Sequence, residues 1–206
     1  MLEGRQFGRL PAFKMFTKGR DVSDAIANYS TAKGYVQSAF LIATNPARLI
    51  INDDRSFVLS YHMLLGFAVE LYLKAFLQER CHAHGKLRSA AVRHNLEDLL
   101  QMAVADGFDP SKAESLVAYL DVQHGNFEFR YVNRESQYML RWHRDVFAEL
   151  DRLDNYVDDV VGASQSMGLQ PGEGGWLIAN EYNGWRLPRS ASVTAELGRT
   201  LPEEQA

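Results

Sequence analysis

Glu70 and Lys74 stand four residues apart in a stretch, Met63 to Leu77, that is otherwise apolar except at Gly66. Residues four apart stack on one face of a helix, so the two charges meet as a carboxylate–ammonium pair. On a wet surface such a pair supports its helix by roughly 0.2–0.5 kcal/mol and nothing more. Among apolar neighbours an unmet charge costs several kcal/mol, so further polar partners are expected there. His94 and Arg130 are the expected partners, because few other polar residues stand at the predicted helix ends. Arg130 would grip Glu70, a guanidinium matching a carboxylate in a bidentate way. Lys74 and His94 would then face an incoming phosphate across one shallow cleft. His94 immediately precedes a predicted helix cap, so it serves equally well as a helix-start residue or as an acid or base. Cys81, His82, His84 and His94 invite a zinc reading, but their spacing matches no standard ligand pattern and only one thiol is present. No metal and no other cofactor is therefore expected. The chain also lacks a Gly-rich phosphate loop, a Gly-x-Ser-x-Gly elbow and clustered nuclease carboxylates.

The element that must carry Glu70 and Lys74 runs from about Phe57 to Arg80. His62, Gly66, Glu70, Lys74 and Gln78 recur every four residues, a narrow polar stripe on an apolar rod. Such a rod belongs inside an all-α bundle, with Leu64, Phe67, Leu71 and Phe76 expected in the core and the stripe facing solvent or imported polar groups. Four further helices follow from caps and periodicity. The first starts after Asp21 or Ser23 and ends at Asn45-Pro46, and Asp53-Asp54 then caps the rod. A third helix opens at Asn95 as cap, buries Leu96, Leu99, Leu100, Ala103 and Val104, and ends at Gly107. Asp109-Pro110 opens a fourth, which stops near Gly125. Asn126 to Val132 reads as a connector. The last helix is expected from about Asn133 to Val161, with Met139, Trp142, Val146, Leu150, Leu153, Val157 and Val160 as its seam. Glu149, Asp151, Asp154, Asp158 and Asp159 then read as a solvated face.

With 206 residues, 46% of them hydrophobic, the chain can bury a real core. A formal net charge of −4 excludes a global electrostatic pull toward nucleic acid or anionic lipid. Any such contact needs a local patch, and residues 1–20 read either as an arm that touches phosphates or a partner subunit or as a terminal segment that packs its aromatics and leaves its bases in water. They hold Arg5, Arg9, Lys14, Lys18 and Arg20 against Glu3, with Phe7, Phe13, Met15 and Phe16 between. The single cysteine rules out an intrachain disulfide. The first residues lack a signal-like apolar run, and Glu70 and Lys74 interrupt the best membrane-length segment, so the expectation is a cytoplasmic protein with no membrane. The domain reading is a basic arm over 1–20, a bundle over 21–162 and a Gly-rich extension over 163–206. In that extension Asn183-Gly184 signals a hairpin turn.

Three pieces together, Glu70-x-x-x-Lys74, His94-Asn-Leu-Glu-Asp-Leu and Phe129-Arg130-Tyr131, resemble the HEPN superfamily of nucleotide-binding domains. The resemblance covers about residues 22–161 and implies a four- to five-helix bundle that forms a homodimer. It implies an RNA- or nucleotide-acting protein, either a metal-independent endoribonuclease of a toxin or defence system or a non-catalytic module that binds a nucleotide or a nucleotidyltransferase-type partner. In the nuclease members an Arg-x(4–6)-His pair acts on the RNA backbone. Arg88-x5-His94 and Arg55-x6-His62 have that spacing, about what six histidines among sixteen arginines produce by chance. Arg134, Arg141 and His143, in the later segment where such pairs usually stand, do not have it. On the nuclease reading His94 and Arg88 are the catalytic candidates, and Glu70, Lys74, Arg130 and Tyr131 bind.

Overall fold

The computed structural model describes residues 23–44, 54–87, 89, 92, 94–130, 140–166, 168–169, 176–177 and 186–187. The described chain is helical throughout its core: α1 (Asp24–Thr44), α2 (Asp54–Glu79), α3 (His84–Leu87), α4 (Leu96–Ala105), α5 (Glu114–Gly125), α6 (His143–Val161) and α7 (Ala163–Ser166). Beyond them Trp176–Leu177 (β1) pairs antiparallel with Arg186–Leu187 (β2). The Asn183-Gly184 turn, the basic arm over 1–20 and the Asn45-Pro46 and Asp53 signals lie outside the described residues.

α2 is the centre, because α1, α4, α5 and α6 all pack against it. Leu65, Ala68, Val69, Tyr72, Leu73, Ala75, Phe76 and Leu77 are fully enclosed, which only neighbours on several sides can achieve. Its stretch Phe57–Glu79 is long and apolar enough to cross a membrane, yet 61% of its most apolar window is buried inside the bundle. Leu64, Phe67 and Leu71, expected in the core, are instead half-buried, and Glu70 and Lys74 are the buried ones; Val104 of α4, also expected inside, points to solvent. The polar stripe is thus the inward face, and part of the apolar surface looks out.

Local chemistry sets the boundaries. Ser23 Oγ accepts from the Ile26 amide at 3.2 Å and starts α1. Asn95 accepts from the Asp98 amide at 2.9 Å and starts α4, and Gly107 follows its end at φ +93. Asp109 caps as expected, taking the Ser111 amide at 3.0 Å. Pro110–Lys112 nevertheless forms only a 3-10 turn before α5 begins. α6 starts at His143, some ten residues later than periodicity indicates. Glu149 takes the Arg141 guanidinium at 2.5 and 3.0 Å, and Arg141 also reaches Ser115. Beside that clamp Trp142 stands outside the helix at φ −58, ψ 125 and, though assigned to the seam, is 67% exposed.

Candidate functional site

Each residue of the α2 stripe meets a specific polar group. Gln78 accepts from the Asn28 amide of α1 at 2.7 Å. His62 donates from Nδ1 to the Val58 carbonyl at 2.7 Å, because a carbonyl can only accept. Its Nε2 therefore accepts the Tyr119 hydroxyl at 2.5 Å, while the ring stacks on Phe129. Burial lowers the His62 pKa and keeps that arrangement neutral. Gly66 leaves room for His124: a Cβ there would stand 2.3 Å from the His124 Nδ1.

Glu70 is the hub. Its Oε1 accepts from Lys74 Nζ at 2.5 Å, and its Oε2 accepts from His94 Nδ1 at 2.9 Å and from His124 Nε2 at 2.8 Å. Burial pushes the Glu70 carboxyl up, but the bonds donated by His124, Lys74 and His94 outweigh it and hold the group at about 2. A carboxylate with three N–H partners stays ionised at every ordinary pH.

The backbone brings the two histidines together. Asp121 of α5 accepts the Leu96 and Glu97 amides at 2.8 and 3.1 Å, so the end of α5 caps the start of α4. His94, just before α4, and His124, one turn beyond Asp121, therefore converge on the same oxygen. His94 sits at φ +66 and Phe127 at φ +59, a left-handed conformation uncommon outside glycine. Their rings meet at 5.1 Å between centroids. Such backbone persists only where the surroundings hold it, and it clusters at binding sites.

Of the predicted residues, Glu70, Lys74 and His94 share one hydrogen-bond network. Arg130 does not pair with Glu70. Its guanidinium lies 4.4 Å above the Phe127 ring and 5.5 Å from the Phe67 ring, exposed at the edge. The reason is that the imidazoles of His94 and His124 and the Lys74 ammonium already occupy both Glu70 oxygens, so Arg130 stacks and stays hydrated. His94 touches the same two aromatic rings, at 6.1 Å from Phe67. Arg88 and Tyr131 lie outside the described residues.

His124 is the member that spacing did not reveal. The available signal was Gly66: a glycine inside a packed helix costs stability and marks a close approach. Glu70, His94 and His124 together place three ligand-type atoms within 4.8 Å of one another. Of the residues weighed for zinc in the sequence, Cys81 is exposed and His82 pairs with Asp106 instead.

A second buried polar cluster overturns the solvated reading at three of the α6 acids, while Asp159 is exposed as expected. Asp151, Asp154 and Asp158 are 3%, 1% and 1% exposed. Asp154 accepts from the Tyr72 hydroxyl at 2.7 Å and lies 3.5 Å from Lys33 Nζ. Asp158 accepts the Ser164 amide at 2.8 Å and so docks α7. Burial pushes the Asp154 carboxyl up against the pull of Lys33 and Tyr72. Comparison with protein-family models, curated proteins and solved structures finds no match for the chain.

Proposed function

We propose that the chain is a HEPN-like helical bundle acting on RNA or nucleotides, in which His94 is the general base of a metal-independent endoribonuclease. One observation carries the reading. Glu70 takes the hydrogen bond from His94 Nδ1, which fixes the tautomer and leaves Nε2 as the ring's lone-pair nitrogen. A carboxylate held at about 2 keeps that orientation throughout the range in which RNA is cleaved. The partly exposed His94 ring can then take the proton of a ribose 2′-OH. The oxygen so freed attacks the adjacent phosphorus, and the 5′-oxygen leaves with a proton from water. Arg130, exposed over Phe127, supplies the cation for the charge that grows on the phosphate. Lys74 holds Glu70 rather than substrate, because its ammonium is buried against Oε1.

The test is incubation of the full chain with mixed RNA in EDTA. Cleavage is expected from the wild type, none from His94→Ala, and a loss of about tenfold or more from Arg130→Ala, with all three folded by circular dichroism. A folded wild type that leaves RNA intact, or a His94→Ala variant as active as wild type, sinks the reading.

A further inference from the structure

We propose that Glu70 Oε2, His94 Nδ1 and His124 Nε2 form a binding site for a zinc-type divalent ion. Occupancy by that ion removes the base from His94. The three atoms come from three separate segments, α2, the residue before the α4 cap and the end of α5, and lie within 4.8 Å of one another. Both imidazoles aim at one carboxylate oxygen, at 2.8 and 2.9 Å. Donors on a shared tetrahedral zinc stand about 3.4 Å apart, with metal–ligand distances near 2.0–2.1 Å. Each nitrogen therefore needs to move about half an ångström away from the carboxylate oxygen, and the two nitrogens, within 4.8 Å of each other, to close by at most about 1.4 Å. Two imidazoles and one carboxylate suit zinc, cobalt or nickel and not magnesium or calcium, which favour oxygen donors. Lys74 on Oε1 fits monodentate ligation through Oε2, with the other oxygen held from outside. Its positive charge weakens the site. His94 is half-buried while Glu70 and His124 are buried, so an ion enters past His94.

The consequence for the base rests on the reading above, whereas the site itself does not. Metal on His94 Nδ1 requires that nitrogen to give up its hydrogen. The neutral ring then carries the hydrogen on Nε2, the position from which a 2′-OH proton would be taken. His124 swaps in the opposite sense, from Nε2 to Nδ1. Zinc occupancy and general-base competence are therefore mutually exclusive at His94.

Equilibrium dialysis of the full chain against zinc chloride in excess magnesium tests the site. One zinc per chain is expected, with affinity lowered by about tenfold or more in His94→Gln and in His124→Gln. Imidazole 15N spectra of the wild type give a reading that needs no variant: zinc should shift the ring nitrogens of both His94 and His124. A folded wild type that retains no zinc overturns the site, and so does zinc that leaves both rings unshifted. Retention unchanged in both variants places the ion elsewhere and also overturns it. Zinc bound at the three residues while RNA cleavage continues undiminished would overturn only the switching of His94, and absence of cleavage without zinc would overturn only the nuclease reading.

Discussion

The bundle buries two polar clusters on opposite terms. Around Glu70 a single carboxylate meets three nitrogen donors, and its pKa falls to about 2 despite burial. Around Asp154 the balance is reversed. Asp151, Asp154 and Asp158 are all buried, Lys33 stands 3.5 Å from Asp154, and burial pushes the Asp154 carboxyl up. The first cluster reaches the surface through His94 and the neighbouring Arg130, while Asp154 is 1% exposed. Desolvation acts on both acids with the same sign, so the number and charge of the donors decide which way each one goes. The Asp154 cluster ties helices together, and the Glu70 cluster fixes a half-buried imidazole at an edge.

The same conservative change should therefore have unequal effects. Glu70→Gln places an amide NH₂ among three N–H donors and leaves a buried ammonium without its carboxylate, at an expected cost of about 3–5 kcal/mol in denaturant unfolding. Asp154→Asn replaces an acid whose carboxyl burial pushes up and keeps an oxygen to accept from Tyr72, so even with Lys33 nearby it should cost less, about 1–2 kcal/mol. Equal losses would abolish the distinction between the clusters.

Acid should expose the same contrast. The Glu70 pKa is depressed in the folded state, so its stabilisation is complete above the unfolded value of 4.5 and is lost as pH falls toward 2. The shift corresponds to about 3 kcal/mol over that window. The Asp154 shift has the opposite sign: its raised pKa favours folding at low pH, and that contribution is lost as pH rises through the folded value. Stability measured from pH 7 down to 2.5 should fall less steeply in Glu70→Gln than in wild type, and more steeply in Asp154→Asn. A Glu70→Gln slope equal to wild type would show that Glu70 is not held ionised.

Two glycines give the smallest and cleanest comparison. Gly66→Ala puts a methyl where the His124 ring stands and should destabilise by about 1–3 kcal/mol. Gly34, within α1, has nothing within 4 Å of an added Cβ, so Gly34→Ala should stabilise by about 0.5–1 kcal/mol. Thermal unfolding that moves both variants in the same direction would remove the assignment of Gly66 as the space kept for His124.

Much of this protein is local and legible in the chain. The caps at Ser23, Asn95 and Asp109, the apolar rod of α2 and the Glu70–Lys74 pair follow from contacts within four residues along the sequence, which periodicity encodes directly. Asp151, Asp154 and Asp158 are equally periodic, but their charge read as solvent-facing. Only the arrival of Tyr72 and Lys33, more than 80 and 120 positions away in sequence, makes burial of Asp154 tolerable. His124 and Arg130 follow the same logic. Both were visible as residues, but which of them takes the Glu70 oxygens depends on the Asp121 clamp that ties the end of α5 to the start of α4. Spacing along a helix selects a face. What that face meets is set by the packing of segments far apart in the chain, because the cost of burying a charge depends on the partners that reach it.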